Sequence, residues 1–526
     1  MSPQIKDKLI KIILTVLIFS GGCGQPPAPP DKPVEISTTA TIRELGGIFY
    51  PQPIAVEGYA LIVNLNGTGS PQCPPAIRQY LEQYLLKQMP AKTNVSAIID
   101  SPDTAVVRIS GTIPANASKN DYFDLKVEAL PGTQTTSLEG GILLESELKV
   151  KGQVGSGTKT LAIAEGPVFI NRLGDTPPID KRNCLILAGG RVLNDSQIYL
   201  AIGERNFRLT RQICDRINER FGPSTAKALM ENQIILSTPA RFRMQEGKFF
   251  SLINATYLFP SAQDKKMGEL LTELSAGASK QAAETGLEAI GIAAADKLSG
   301  LLNSPDEEVK FRASRCLLNM GDDRGLEGLR SIVFDKSSKY RIEAIEAIGF
   351  GARRNDASGI LQRLLQDEDF NNIVLSAYKQ LSRINDTAIS RQVVGQKFFL
   401  DIAGQSSKQY IYVTRSGPPT IVLFGPALFC RVGTFVQSSD GLITINAPEN
   451  IDNIQVVRQL PNKQPVKIES KYNLTDVLQT LGEPSNSLRR QGLNVSYDEI
   501  IAVIKELCNK QAVMAQFIAG PLPKIE

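Results

Sequence analysis

The sequence predicts an α+β protein in which two strand-rich regions are split by an all-α stretch. Three observations predict it. From Ile36 to about Pro260, short alternating apolar runs lie between clusters of Gly, Pro, Asn and Asp, the pattern of half-buried strands. Between about Asp264 and Ser390 the apolar period becomes helical, with Ala, Leu and Ile three and four residues apart. After Gln396 strand-like runs return, and the chain closes on helical segments. The 526 residues give length for roughly three domains of about 150 residues each. An apolar fraction of 42% and a charged fraction of 21% argue against global disorder and against a multi-span membrane protein. The net charge is +4 and no basic block occurs, so nucleic acid is not implied as a partner.

The amino terminus reads as an export signal. Lys6, Lys8 and Lys11 precede "IILTVLIF", an apolar run too short to span a bilayer and suited to a signal-peptide core. The run ends in "SGGCGQPPAPPDKP", where small residues precede Cys23 and prolines follow. This resembles a bacterial lipoprotein signal over residues 1–22, which implies that Cys23 becomes the acylated first residue of the mature chain, held at a membrane leaflet. Ser20 stands where such signals usually carry Leu. The alternative is ordinary cleavage with Cys23 free. In both cases residues 23–38 form a stiff, extended, proline-rich spacer.

The elements follow in order. "GYALIVNLNGTGS" (58–70) runs a buried strand into a turn, where Gly67 and Gly69 are expected to supply positive φ. A dinucleotide loop would need a further glycine at position 72, which is Gln, and a phosphate loop would need Lys and Ser or Thr after its last glycine, where Ser70-Pro71-Gln72-Cys73 stands. Nucleotide binding is therefore unsupported. "TAVVRISGTI", "YFDLKVEAL" and "KTLAIAEGPVFI" read as strands. "PPAIRQYLEQYLLKQM" reads as a proline-started helix, and "RLTRQICDRINERFG" as a helix closing on Gly222.

The helical stretch contains an internal repeat. "VKFRASRCLLNMGD" begins at Val309, "YRIEAIEAIGFGAR" at Tyr340 and "IVLSAYKQLSRIND" at Ile373, with Ala313, Ala344 and Ala377 in register. Each is expected to be followed by a second helix, as in "RGLEGLRSIVFD" and "ASGILQRLLQD". Helix pairs at this spacing cannot bury their apolar faces alone and are expected to stack as a solenoid over residues 263–395. The pattern resembles HEAT-like repeats, which act as protein-binding arrays or as spacers. Beyond it, "KFFLDIAG", "QYIYVTR", "PTIVLFG", "CRVGTFVQ" and "GLITINA" read as strands, and "NLTDVLQTLG" and "SYDEIIAVIKELCNKQAVMAQFIAG" as helical.

Little in the sequence suggests chemistry. Histidine is absent, which removes the commonest general base, the commonest zinc ligand and every Ser-His or Cys-His pair. No enzyme activity, metal or cofactor is expected. Ser146-Glu147-Leu148-Lys149 has the Ser-x-x-Lys spacing, but in a strand its two ends point to opposite faces. Glu307-Glu308 and Asp322-Asp323 fall at turns before helices, where capping and dipole effects account for them. The seven cysteines, at positions 23, 73, 184, 214, 316, 430 and 508, include no CxxC pair. Cys184 with Cys214 is one possible pairing in an oxidising compartment, and Cys316 lies on an apolar helix face as a buried thiol.

Taken in chain order, these segments resemble the flagellar P-ring protein family. "GYALIVNLNGTG" is similar to that family's glycine-rich strand and turn, with Gly58, Gly67 and Gly69. "AVVRISGTIPANASKNDYFDLKVEALPGTQTTSLEGGILLESEL" follows its next pattern, an Asp-x-x-Val strand and then Ser-Leu-x-Gly-Gly with Gly140 and Gly141. "LAIAEGPVFI" and "FRLTRQICDRINERFG" resemble the next strand and helix, and the segments after residue 398 resemble the closing ones. The resemblance implies P-ring-like regions at 39–262 and 396–526, split by the repeats as an insertion. It further implies a periplasmic structural subunit without chemistry that forms a ring with copies of itself. Such a ring surrounds the flagellar rod in the peptidoglycan layer, next to the L-ring proteins, and supports motility. P-ring proteins also carry an intramolecular disulfide in the closing half, which would fall on Cys430 and Cys508. The alternative reading is an envelope lipoprotein that keeps the fold and recruits a protein partner through the helical array.

Overall fold

The computed structural model describes residues 36–90, 93–153, 158–174, 179–449, 451–460, 463–486 and 491–525. The expected signal peptide, Cys23 and the expected spacer through residue 35 lie outside the described residues. Among the described residues no helix is long and apolar enough to cross a membrane.

The first half holds β1 (Gly46–Phe49), β2 (Ile54–Val63), α1 (Pro75–Gln88), β3 (Ala105–Ile113), β4 (Tyr122–Ala129), β5 (Ile142–Val150), β6 (Ala162–Pro167), β7 (Asn183–Val192), β8 (Ile198–Ile202), α2 (Phe207–Phe221), β9 (Ala226–Met230), β10 (Gln233–Leu236) and α3 (Glu246–Ala255). Six of the strands close into an antiparallel barrel in the order β2-β3-β4-β7-β6-β5. The alternation of β2 explains its place. Ala60 and Ile62 point inward onto Val107, Ile109, Leu125 and Ile186, whereas Leu61 points outward beneath Leu81 and Leu85 of α1. Pairing β2 with β5 leaves the sheet no open edge, and side chains fill the narrow interior.

The remaining strands pair as β1-β8-β10-β9, covered by α2 and α3 around Phe221, Phe242, Phe249 and Phe250. Helix α2 starts where Asn206 accepts hydrogen bonds from the Arg208 and Leu209 amides, and it stops at Gly222 with φ +112°. The Asn218 amide bonds both backbone groups of Ala226 at 2.9 Å, which blunts the outer edge of β9.

Helices α4 (Ser261–Ala276), α5 (Lys280–Ile290), α6 (Glu307–Asn319), α7 (Arg324–Phe334), α8 (Arg341–Gly351), α9 (Arg354–Leu364) and α10 (Leu375–Arg383) come next. Alternate helices stack, α5 on α6, α6 on α8 and α8 on α10. Ala313, Ala344 and Ala377 are fully buried in α6, α8 and α10, where small side chains allow close approach. Asp306 caps α6 through the Glu308 and Val309 amides, with Glu307 and Glu308 in the positive first turn, and at the start of α7 the Asp322 carboxylate accepts from the Arg324 amide at 3.0 Å.

The last part contains β11 (Ser390–Val394), β12 (Phe398–Ala403), β13 (Tyr410–Val413), β14 (Thr420–Phe424), β15 (Thr434–Gln437), β16 (Ile443–Ala447), β17 (Ile454–Arg458), β18 (Val466–Ser470), α11 (Leu474–Gly482), α12 (Tyr497–Asn509) and β19 (Gln516–Ala519). They form a mixed sheet, β11-β12-β14-β13-β19, and an antiparallel meander, β15-β16-β17-β18. Helix was expected through residue 520. Instead the polar run Asn509-Lys510-Gln511 ends α12, with Gln511 at φ +54°, and β19 pairs in parallel with β13.

The helical array is not held by its ends alone. Its core of Phe311, Leu329, Ile345, Leu361 and Phe370 is continuous with Tyr410, Tyr412, Val422 and Phe424 of the mixed sheet. A buried polar tie reinforces the contact: the Tyr378 hydroxyl of α10 donates to Asp401 at 2.6 Å, and Arg391 donates to the same carboxylate at 2.7 and 2.8 Å.

Candidate functional site

The loops that carry the P-ring resemblance meet at one end of the barrel, and that end abuts the carboxy-terminal sheets. In the loop after β2, Asn64, Asn66 and Gly67 take φ of +68°, +48° and +88°. The Thr68 hydroxyl donates to the carbonyls of Leu65 and Ser137, each at 2.8 Å, tying this loop to "SLEGG". Gly69 corrects the expectation of positive φ. Its requirement is space, since a Cβ there would sit 2.1 Å from the Thr104 carbonyl oxygen. Gly140 takes φ +71°, and a Cβ on Gly141 would sit 2.4 Å from Ile62. A Cβ on Gly58 would meet the Glu147 carbonyl of β5 at 2.5 Å, where the β2–β5 register shifts. The five glycines are thus explained by turns and close approach at the barrel, and the opening turn is a structural turn.

Two clamps join the barrel to the last part of the chain. Arg172, whose side chain is 5% exposed, directs Nε to Asp498 of α12 at 2.8 Å, one terminal nitrogen to Asp440 of the meander at 3.3 Å, and the other to Glu139 of the "SLEGG" loop. Lys181 adds a 2.5 Å contact to Glu139. Burial disfavours the Arg172 charge, but Asp498 and Glu139 outweigh it and hold its pKa above the ordinary arginine value. Burial likewise pushes the Glu139 carboxyl up, and Arg172 with Lys181 reverses the sign, leaving it below the usual carboxylate range. Burial pushes the Asp498 carboxyl up. The second clamp is Asp124, from the Asp-x-x-Val strand. It accepts from the Ala188 amide at 2.7 Å, the Ser416 hydroxyl at 2.6 Å and the Gly417 amide at 2.9 Å.

Glu139, Asp440 and Glu499 bring carboxylate oxygens within 4.8 Å of one another. Each already has its partner: Arg172 and Lys181 for Glu139, Arg172 and the Leu442 amide for Asp440, Arg458 and Ser496 for Glu499. A metal ion would have to displace the guanidinium, so the cluster reads as an ion-paired clamp.

The other sequence candidates are dispersed. Ser146 donates to the Leu144 carbonyl two residues back at 2.9 Å, while the Lys149 ammonium lies 5.6 Å from the Tyr80 ring centroid, so the two form no nucleophile and base. Cys184 is in the barrel core and Cys214 on α2 in a separate core. Cys316 is fully buried and its thiol is pushed well up by burial. Cys430 and Cys508 are free thiols packed in the same core; burial raises them to about 12 and about 11, and Cys508 adds to the rise at Cys430. Arg172 and Asp498 escaped sequence reasoning. Glu139 stands at the variable position of Ser-Leu-x-Gly-Gly, and that motif was read only for Gly140 and Gly141.

Comparison with known proteins bears on the same segments. The family model described as "Flagellar P-ring protein" matches residues 42–267. The chain carries a flagellar P-ring family region. That region comprises the barrel, the β1-β8-β10-β9 sheet and its helices, and it ends inside α4. The "Flagellar P-ring protein" of Rhodopseudomonas palustris (strain BisB5) is 25% identical over 281 residues, which are 50% of this chain and 70% of that relative. Its counterpart from Bradyrhizobium sp. (strain BTAi1 / ATCC BAA-1182) is 25% identical over 268 residues, 48% of this chain and 69% of the relative. That of Ralstonia nicotianae is 28% identical over 230 residues, 40% and 57% respectively.

Proposed function

We propose that this chain is a structural subunit of the flagellar P ring, assembling with copies of itself in the periplasm around the rod, beside the L-ring proteins and within the peptidoglycan layer. The observation that carries the reading is the family match over residues 42–267, whose glycines serve one barrel end that is clamped to the rest of the chain. A ring needs two different faces on each subunit, in heterologous contact. A barrel locked to two sheets through Arg172 and Asp124 gives each subunit the stiffness to present them.

Three finer elements belong to the proposal. Cys23 carries the lipid that holds the chain at a membrane leaflet. Helices α4 to α10 form a HEAT-like solenoid inserted between P-ring-like regions at 39–262 and 396–526. Cys430 and Cys508, packed in the same core, form a disulfide in the oxidising periplasm. The second reading, an envelope lipoprotein that recruits a protein partner through the array, is favoured by one fact: α5 to α10 lie beyond the matched residues.

Deletion of the gene in its host separates the two readings. Loss of swimming and of the periplasmic ring from isolated basal bodies is expected, with both restored by the intact gene. Normal rings and swimming in the deletion strain would discard the ring role and leave the recruiting one.

A further inference from the structure

Between the barrel end and the carboxy-terminal sheets lies a groove of about 830 Å³. Tyr122, Pro167, Val393, Phe399, Pro418 and Pro419 supply apolar surface to it. Tyr122 and Val393 are 61% and 58% exposed, on strands that otherwise bury their apolar residues. Among the described residues, nine that are not glycine take positive φ, and five of them line this groove: Asn64, Asn66, Ala188, Gln396 and Asn494. Asn tolerates left-handed backbone, but Ala188 and Gln396 hold it at a cost, and such strain concentrates where a surface has been shaped for use.

The charge in the groove is unbalanced. Lys397 is mostly buried, and among the described residues the only hydrogen bond of its ammonium is to the Val495 carbonyl at 2.9 Å, with no carboxylate at ion-pair distance. Its charged neighbours are Arg458 from β17, Glu499 from α12 and Glu483 beyond α11. Arg458 spends its terminal nitrogens on the Leu493 and Asn494 carbonyls and on Glu499, and among the described residues its buried Nε has no partner. Glu499 in turn is committed to Ser496. An ammonium in a desolvated wall, with two donors unspent, is a site for an anion.

We propose that the groove binds an organic carboxylate carried on an apolar body, with the carboxylate on Lys397 and the apolar part against Tyr122, Phe399 and Pro419. A free fatty acid and the carboxy-terminal residue of a peptide share this chemistry. The burial of Lys397, then the neighbouring Arg458, lower its pKa to about 8. Binding should therefore weaken as pH rises above about 8, and at pH 8 to 9 it should take up a proton as the carboxylate restores the ammonium.

The test is calorimetric titration of the full chain with dodecanoate below its micelle concentration and, separately, with N-acetyl-phenylalanyl-leucine. One probe is expected to bind at one site per chain, and which one binds identifies the source. Lys397→Met should weaken that probe at least tenfold, and Tyr122→Ala, at the exposed rim, should weaken it several-fold with unchanged circular dichroism. If Lys397→Met does not fold, the pH series on the unaltered chain and the Tyr122→Ala variant decide. Failure of both probes to bind overturns the proposal. So does an affinity that ignores pH between 7 and 9.5, or that neither variant alters.

Discussion

Arg172→Met removes the guanidinium of the main clamp while keeping an apolar stem in its place. Its three carboxylate partners do not suffer equally. Glu139 keeps Lys181, and Asp440 keeps the Ser438 hydroxyl and the Leu442 amide. Asp498, 4% exposed at its side chain, loses its ion-pair partner in a dry setting. Breaking a buried pair by removing one partner costs about 3 to 5 kcal/mol, and with one orphaned carboxylate the low end, about 3 kcal/mol, is expected here. The chain has no tryptophan, so urea unfolding is followed by circular dichroism. Asp498→Leu added to Arg172→Met removes the orphan and should recover most of the loss, because an apolar pair of similar volume is often neutral. A single variant within about 0.5 kcal/mol of the unaltered chain would refute the reasoning. A double variant less stable than the single one would do the same.

Further outcomes follow from other contacts. Glu139 has a depressed folded pKa, so its contribution is present above its unfolded pKa and is lost as pH falls through the folded value; Arg172→Met should flatten stability on the acid side, measured by urea midpoints across the acid range. Gly69→Ala should cost about 2 to 3 kcal/mol, because the Thr104 backbone blocks it, against about 1 kcal/mol for Gly67→Ala, which meets only the left-handed penalty. Thermal unfolding of the two variants gives the order, and equal losses would contradict it. Phe424→Ala should cost about 3 to 5 kcal/mol and expose the array to limited proteolysis, since Phe424 packs on Phe370 and Tyr378. Peptide mapping of oxidised protein should find Cys430 joined to Cys508 and Cys316 unalkylated; a native Cys508 open to iodoacetamide would remove the pair.

Local pattern made much of the fold legible. Alternation marked β3, β4 and β6, prolines and Gly222 bounded α1 and α2, and the register alanines fell at buried helix contacts. Long-range pairing was not legible. The alternation of β2 shows that it has two faces, but nothing in it names β5 as the strand that closes the barrel. Tyr410, Tyr412 and Phe424 read as any buried strand would, although they complete the core of the helical array. The clamp was hidden for the same reason, since Arg172 meets partners 33, 268 and 326 residues away, and a lone arginine in a loop has no periodicity to betray it. Gly69 looked like a turn glycine because sequence cannot distinguish a left-handed backbone from a tight contact.

Electron cryomicroscopy of basal bodies isolated from the host tests the ring assignment most directly. The account predicts periplasmic ring density into which the six-stranded barrel and its clamped sheets fit as one rigid unit, with added helical density from residues 261–383 in every subunit. A ring that is fully accounted for by another protein, with no density for these helices, would contradict it.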